Sequence, residues 1–199
     1  VNSLEIAIAE ARVRTADVLL FRNGERGWLN AGIRYAQARA LADLAPKLPR
    51  YFIARCASYT HAAQLTSPEC FSEQYAPRAR CRRVSSLPRG AHIMVRRLRS
   101  ADNGNTGPIL QRWKEVVGKA EPYPVRELLY YYLRWVRKTW LAHKFAEAFK
   151  DAKHNVCSGQ VVACSQAVGW FSGEKPEAWY PARLVEDALW LETVGEFDI

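Results

Sequence analysis

Between residues 16 and 98 the chain breaks into short apolar runs, each closed by turn residues, whereas beyond Pro108 the apolar residues recur at helical spacing. This division constrains the fold more than any other feature. Strands gathered in one stretch and helices in another argue for an α+β architecture, not an alternating α/β one. The Gly- and Asn-rich segment 100–108 (SADNGNTGP) is the best internal boundary. At 199 residues the chain is long enough for one core without staples, so the expectation is a single domain over 1–199. Within it, 15–100 is a strand-rich part, 109–153 a helical insertion and 154–191 a pair of terminal helices.

The pattern predicts a helix over 2–14, a buried strand over 16–21 and a helix over 28–44 closed by Pro46 and Pro49. Two strand-like pieces follow within 51–65, the clearer being 59–65, then a strand over 71–75. The segments 80–87 and 91–98 read as a strand pair about Pro88-Arg89-Gly90. Helices are expected over 109–117, 125–153, 156–168 and 182–191, the third stopped by Gly169.

Charge narrows the partners. Lys and Arg exceed Asp and Glu by nine, and eight arginines with no acid lie between Arg78 and Arg99. Such a stretch suits an anionic partner. The expectation is a solvated sheet face on which Arg80, Arg82, Arg83, Arg97 and Arg99 meet an anionic polymer. Nucleic acid is not expected, because no recognised motif or aromatic platform accompanies the arginines. Over 128–149, Tyr130, Tyr131, Tyr132, Trp135, Trp140, Phe145 and Phe149 interleave with Arg134, Arg137, Lys138 and Lys144. That helix is expected to meet a protein partner or a membrane surface. The chain has no run of about 18 apolar residues. Its opening residues lack the order of a secretion signal, so synthesis in the cytoplasm is expected. None of Cys56, Cys70, Cys81, Cys157 and Cys164 stands in a C-x-x-C pair. Neither a metal site nor a disulfide framework is expected, and no cofactor is called for.

Three residues can carry chemistry. Cys157 opens an apolar helix, where the macrodipole and free N–H groups favour a thiolate. His61 lies in a strand-like segment, and Glu73 in another 12 residues on. An imidazolium beside the sulfur would lower its pKa, and a carboxylate behind the ring would fix the tautomer. Spacing alone fits more readily a small buried thiol and a strand histidine with ordinary partners, because a Cys and a His far apart in the chain prove nothing. Glu69 is a fallback for the carboxylate, but its place after Pro68 suits an exposed turn. Cys164 reads as core, Cys56, Cys70 and Cys81 as buried or edge thiols, and His154 as a surface residue. His92 and His143 show no partners in the sequence. Asp17 could pair with a base or be satisfied by backbone.

The order of short motifs adds a resemblance. Ala16-Asp17-Val18-Leu19-Leu20-Phe21 is followed by Thr60-His61 before an apolar run and then by Ser72-Glu73-Gln74. Next come the strands between Cys81 and Leu98, Gly118 to Tyr123, Cys157-Ser158, and Pro181-Ala182-Arg183-Leu184. This order resembles a circularly permuted papain-like cysteine hydrolase of the NlpC type, YiiX-like branch. Ala16 stands where that family has Gly, Thr60 where it has Ser, and Gly159 where it has Glu. The resemblance implies a small antiparallel sheet packed on helices, with 109–153 as an extra helical insertion. It implies Cys157 as nucleophile, His61 as general base and then acid, and Glu73 as the orienting group. The implied reaction cleaves an amide or isopeptide bond through a thioester, with a peptide or cell-wall stem peptide as substrate. A leaderless enzyme would reach a wall in a phage particle or through dedicated export. Two rivals stay open: a lipid-directed thiol acyltransferase or esterase of the same fold, and a silent structural or adaptor component of a larger assembly.

Overall fold

The computed structural model describes residues 2–22, 28–99, 105–123 and 156–199. Its elements, in chain order, are α1 (Ser3–Ala9), β1 (Val18–Arg22), α2 (Trp28–Leu44), α3 (Arg50–Ala57), β2 (His61–Ser67), β3 (Cys70–Glu73), β4 (Arg80–Arg83), β5 (His92–Leu98), α4 (Gly107–Gly118), α5 (Cys157–Ser165), α6 (Pro181–Glu186) and β6 (Leu191–Asp198). The strands form one antiparallel sheet in the order β4-β3-β2-β1-β5-β6. The α+β class is therefore observed, with a small sheet and helices on both its faces.

The sequence of β1 explains its place at the centre. Val18, Leu19, Leu20 and Phe21 are all buried, and a strand with no polar face must be covered on both sides. The pleat sends Val18 and Leu20 into a cluster with Ile53 of α3, Trp113 of α4, Val161 of α5 and Leu184 of α6. It sends Leu19 and Phe21 into a second cluster with Leu4 and Ala7 of α1. Buried glutamines tie the helices to the sheet. Gln64 Nε2 donates to the Ala16 carbonyl at 2.9 Å, and Gln64 Oε1 accepts from Trp113 Nε1 at 2.7 Å. Gln37 Nε2 donates to the Tyr59 carbonyl at 3.2 Å, and its Oε1 accepts from the Ala182 N–H at 2.8 Å.

Several expectations change. The 2–14 helix ends at Ala9, started by an Asn2–Glu5 capping box; Ala11 then takes φ +57 and Val13 turns back into the core. The first strand-like piece of 51–65 is helix α3. Its buried Ile53, Cys56 and Ala57 stand at i, i+3 and i+4 after Pro49 at the N-cap. The 80–87 and 91–98 segments are not a strand pair. β4 lies beyond β3 at one end of the sheet, while β5 lies between β1 and β6. β4 reads Arg-Cys-Arg-Arg and has no apolar side chain to bury, which suits an edge. The link from β4 to β5 places Val84 and Leu87 in the α1-side core.

The 182–191 helix closes early, at Glu186, and the chain re-enters the sheet as β6, a strand the sequence reading missed. A register shift at Val95/Arg96 explains why its period was hidden. One extra β6 residue sends Leu191 into the helix-side core and Phe197 into the α1-side core. The 156–168 helix is α5 extended by a short 3-10 turn, and Gly169 at φ +82 ends it as expected.

Arg96 holds the α6–β6 turn. It is buried, and its guanidinium donates to the carbonyls of Val185, Asp187 and Leu191. Arg96→Leu leaves these acceptors without their charged donor. The expected cost is about 2–4 kcal/mol, a fall in Tm of roughly 5–15 °C, measured by thermal denaturation of the two proteins side by side.

Candidate functional site

The site is built where three strands begin or end and one helix starts. Glu73 is the last residue of β3 and lies in register opposite Ala63 of β2 and Arg80 of β4. His61 stands two residues before Ala63, so the pleat puts His61, Glu73 and Arg80 on one face of the sheet. The diagonal His61–Glu73 pair is within reach. His61 Nε2 donates to Glu73 Oε2 at 2.7 Å, and Arg80 Nε donates to Glu73 Oε1 at 2.7 Å. Arg82 Nη1 lies 3.8 Å from the same oxygen. The Glu73 side chain is only 3% exposed, so both its oxygens are paired as a buried carboxylate requires.

Cys157 is the first residue of α5, and burial runs almost all round this helix, from Cys157 to Val162 and on to Cys164 and Ser165. A helix of this kind packs as a central rod. Its position is fixed by Ser158 Oγ, which donates to the Trp179 carbonyl at 2.8 Å, and by Ser165, which Gln64 of β2 reaches at 3.4 Å. The start of α5 is thereby brought to the start of β2. The Cys157 thiol lies beside the His61 ring and near the backbone N–H groups of Ala62 and Ser158, all of which favour its thiolate form. With Nε2 engaged by Glu73, Nδ1 is the ring nitrogen left for the thiol.

These contacts set the charge states. Burial works against a charged His61, but the Cys157 sulfur and the Glu73 carboxylate outweigh it and raise the imidazole to about 9. Burial likewise works against a Cys157 thiolate, yet the imidazolium and the two backbone donors bring the thiol below its ordinary range. Glu73 is also held below the usual carboxylate range: His61 and Arg80 overcome the effect of burial. The arrangement favours a thiolate–imidazolium pair over a neutral one.

Aromatic rings frame the imidazole. Phe21 lies 5.6 Å from it between centroids, and Tyr75 meets it edge-on at 5.4 Å and 89°. The Arg80 guanidinium stacks over Tyr75 at 4.1 Å. Tyr123, at the end of the Gly118 to Tyr123 motif, lies near both Cys157 and Tyr75, and burial raises its phenol pKa.

The structure thus brings Cys157, His61 and Glu73 together. Glu69 is exposed in the turn between β2 and β3, away from this role. Asp17 pairs with Arg97, at 2.9 and 2.8 Å. His92 has partners that the sequence did not reveal: Asp198, Glu196 and the Tyr59 hydroxyl. Cys56 and Cys164 are buried, and burial pushes their thiols up to about 11 and about 12. Cys70 is half-buried and Cys81 exposed. His143, His154, the 125–153 helix and the 128–149 aromatic stretch, with the partner or membrane surface assigned to it, lie outside the described residues.

The arginines do not form one strip. Arg80, Arg82 and Arg83 lie on β4, Arg97 closes in on Asp17 from β5, and Arg99 donates to the Leu191 carbonyl. Three strands separate the two groups, because β4 and β5 are not neighbours. Arg80 and Tyr75 are site residues that the reading missed. Arg80 was grouped with the polyanion candidates, and Tyr75 was only a strand end. The available signal was pairing: once β3 and β4 are laid antiparallel, Arg80 falls opposite Glu73.

Among the described residues, no three His, Cys, Asp or Glu side chains gather as a metal set, and no helix is long and apolar enough to cross a membrane. No family model, curated protein or solved structure matches the chain.

The ion pair has a measurable consequence. Alkylation of Cys157 by iodoacetamide is expected to stay fast at pH 6–7, where an ordinary thiol of pKa about 8.5 is mostly protonated. His61→Ala should slow it about 10- to 100-fold at pH 6, measured as site-resolved adduct formation by mass spectrometry.

Proposed function

We propose that this chain is a cysteine hydrolase of the permuted papain-like type, cleaving a peptide amide or isopeptide bond through a thioester. The observation that carries the reading is the Cys157 sulfur at the head of α5, facing a His61 ring whose far nitrogen is held by buried Glu73. Support also comes from Ala16, which stands where the resembled family has Gly. Its φ of +74 lies in the region glycine fills most easily.

In this reading the Cys157 thiolate attacks the carbonyl carbon. A C–S bond forms and the carbonyl π pair moves to oxygen. N–H groups at the start of α5, which lack intrahelical acceptors by helix geometry, suit the developing charge. The pair returns, the C–N bond breaks, and the His61 imidazolium gives its proton to the leaving amine. Neutral His61 then takes a proton from water, whose oxygen attacks the thioester. The carboxylic acid leaves and the ion pair is restored. Glu73 takes no proton; it orients the ring and stabilises the imidazolium. By resemblance, peptidoglycan stem peptides are the substrate to try first.

The test uses stem peptides and a peptide bearing a cysteine-reactive electrophile. The expected result is cleavage and a single adduct at Cys157. Cys157→Ala and His61→Ala should each lower turnover by at least about 10³-fold, and Glu73→Gln by roughly 10²–10⁴-fold. Adduct formation no faster at Cys157 than at exposed Cys81 would remove the nucleophile from the proposal.

A further inference from the structure

Arg80 makes two contacts at the site. Its Nε donates to Glu73 Oε1 at 2.7 Å, on the oxygen His61 does not use. Its guanidinium also lies 4.1 Å over the Tyr75 ring, whose edge meets the imidazole. The Arg80 side chain is 38% exposed, whereas the Glu73 side chain is 3% exposed. A half-exposed charge therefore holds a buried one.

We propose that Arg80 is a positioning residue, the fourth member of the relay Arg80–Glu73–His61–Cys157, which keeps the Glu73 carboxylate ionised and aimed at the imidazole. The inference deepens the hydrolase reading and rests on it. Its physical basis is the cost of an ionised carboxylate in a buried place. Such a group neutralises or swings away unless both oxygens are engaged. His61 engages one oxygen, and a guanidinium is the donor that stays charged at every working pH. The register makes the contact a cross-strand pair, Glu73 opposite Arg80. The neighbouring β4 cation, Arg82, stands farther off at 3.8 Å and gives an N–H to the Ser86 carbonyl. The stack on Tyr75 fixes the guanidinium plane against the ring that contacts His61.

Among the described residues, the charged and titratable groups facing His61 and Glu73 are Cys157 from α5, Arg80 and Arg82 from β4 and Tyr75 after β3, with Tyr123 after α4 near Cys157 and Tyr75. Of the two arginines, Arg80 is the one bonded directly to the carboxylate. Its loss should let Glu73 take up a proton or turn from the ring, and His61 should then hold its own proton less tightly.

The experiment follows His61 directly. The full-length chain, labelled on histidine, is titrated by NMR while the iodoacetamide rate at Cys157 is read against pH. Arg80→Gln should move the His61 titration at least one unit toward its ordinary value. It should also slow Cys157 alkylation at pH 6 by about 10-fold. Arg80→Lys should recover part of both, because it restores the charge without the fork. Dispersed NMR spectra establish that each variant is folded. If Arg80→Gln proves unfolded, Arg80→Lys alone decides: a titration identical to the original protein overturns the proposal, and an intermediate one supports it. Unchanged titration in a folded Arg80→Gln variant also overturns it. Failure of the parent reading looks different. There the unmodified protein shows no preference for Cys157, whatever residue 80 is, while the His61 titration still reports on Arg80.

Discussion

A carboxylate inside a protein must be answered by positive charge, and at Glu73 the answer comes from two sides. His61 takes one oxygen and Arg80 the other, each at 2.7 Å. Neither contact is of the surface kind that water screens to insignificance, since Glu73 is among the most buried polar side chains of the chain. The rest of the site follows from this balance. A held carboxylate favours the charged ring, and a charged ring favours the thiolate in a place where burial opposes it. Each charge is tolerated only because of the next.

The sheet makes this chain of contacts by register alone. The strands that carry His61, Glu73 and Arg80 are neighbours, β2, β3 and β4. A slip of one residue in either pairing would send Glu73 to the opposite face. Pairing opposite Ala63 puts Glu73 diagonal to His61, and pairing opposite Arg80 closes the other side. Cys157 arrives by a different route, on a helix whose depth is set by Gln64, Ser165 and Ser158. The polar residues buried between α5 and the sheet therefore matter to the site although they touch none of its reacting atoms.

The three chemically able residues were legible in the sequence because they sit beside recognisable punctuation. His61 precedes a largely apolar run, Glu73 closes a short strand, and Cys157 heads a largely apolar helix. Arg80 was not legible, because its meaning depends on which strand lies next to β3, and the turn at Pro88-Arg89-Gly90 invited the wrong partner. β6 was hidden by the extra residue opposite Val95 and Arg96, which breaks the period of two that marks a strand. α3 was read as extended because Tyr51, Phe52 and Ile53 favour strands locally. Burial of Ile53, Cys56 and Ala57 on one face overrides that preference. In each case the missing information was tertiary: who the neighbour is, not what the residue prefers.

The arrangement also separates chain order from chemistry. His61 precedes Cys157 by almost half the chain, yet they meet because β2 starts where α5 starts. Nothing in that contact depends on which element the ribosome makes first. Ser3 Oγ donates to the Asp198 carbonyl at 2.6 Å, so α1 and the end of β6 lie side by side on the face of the sheet away from α5. A His-before-Cys order is thus no obstacle to thiolate chemistry, because register and helix placement, not sequence order, fix the geometry.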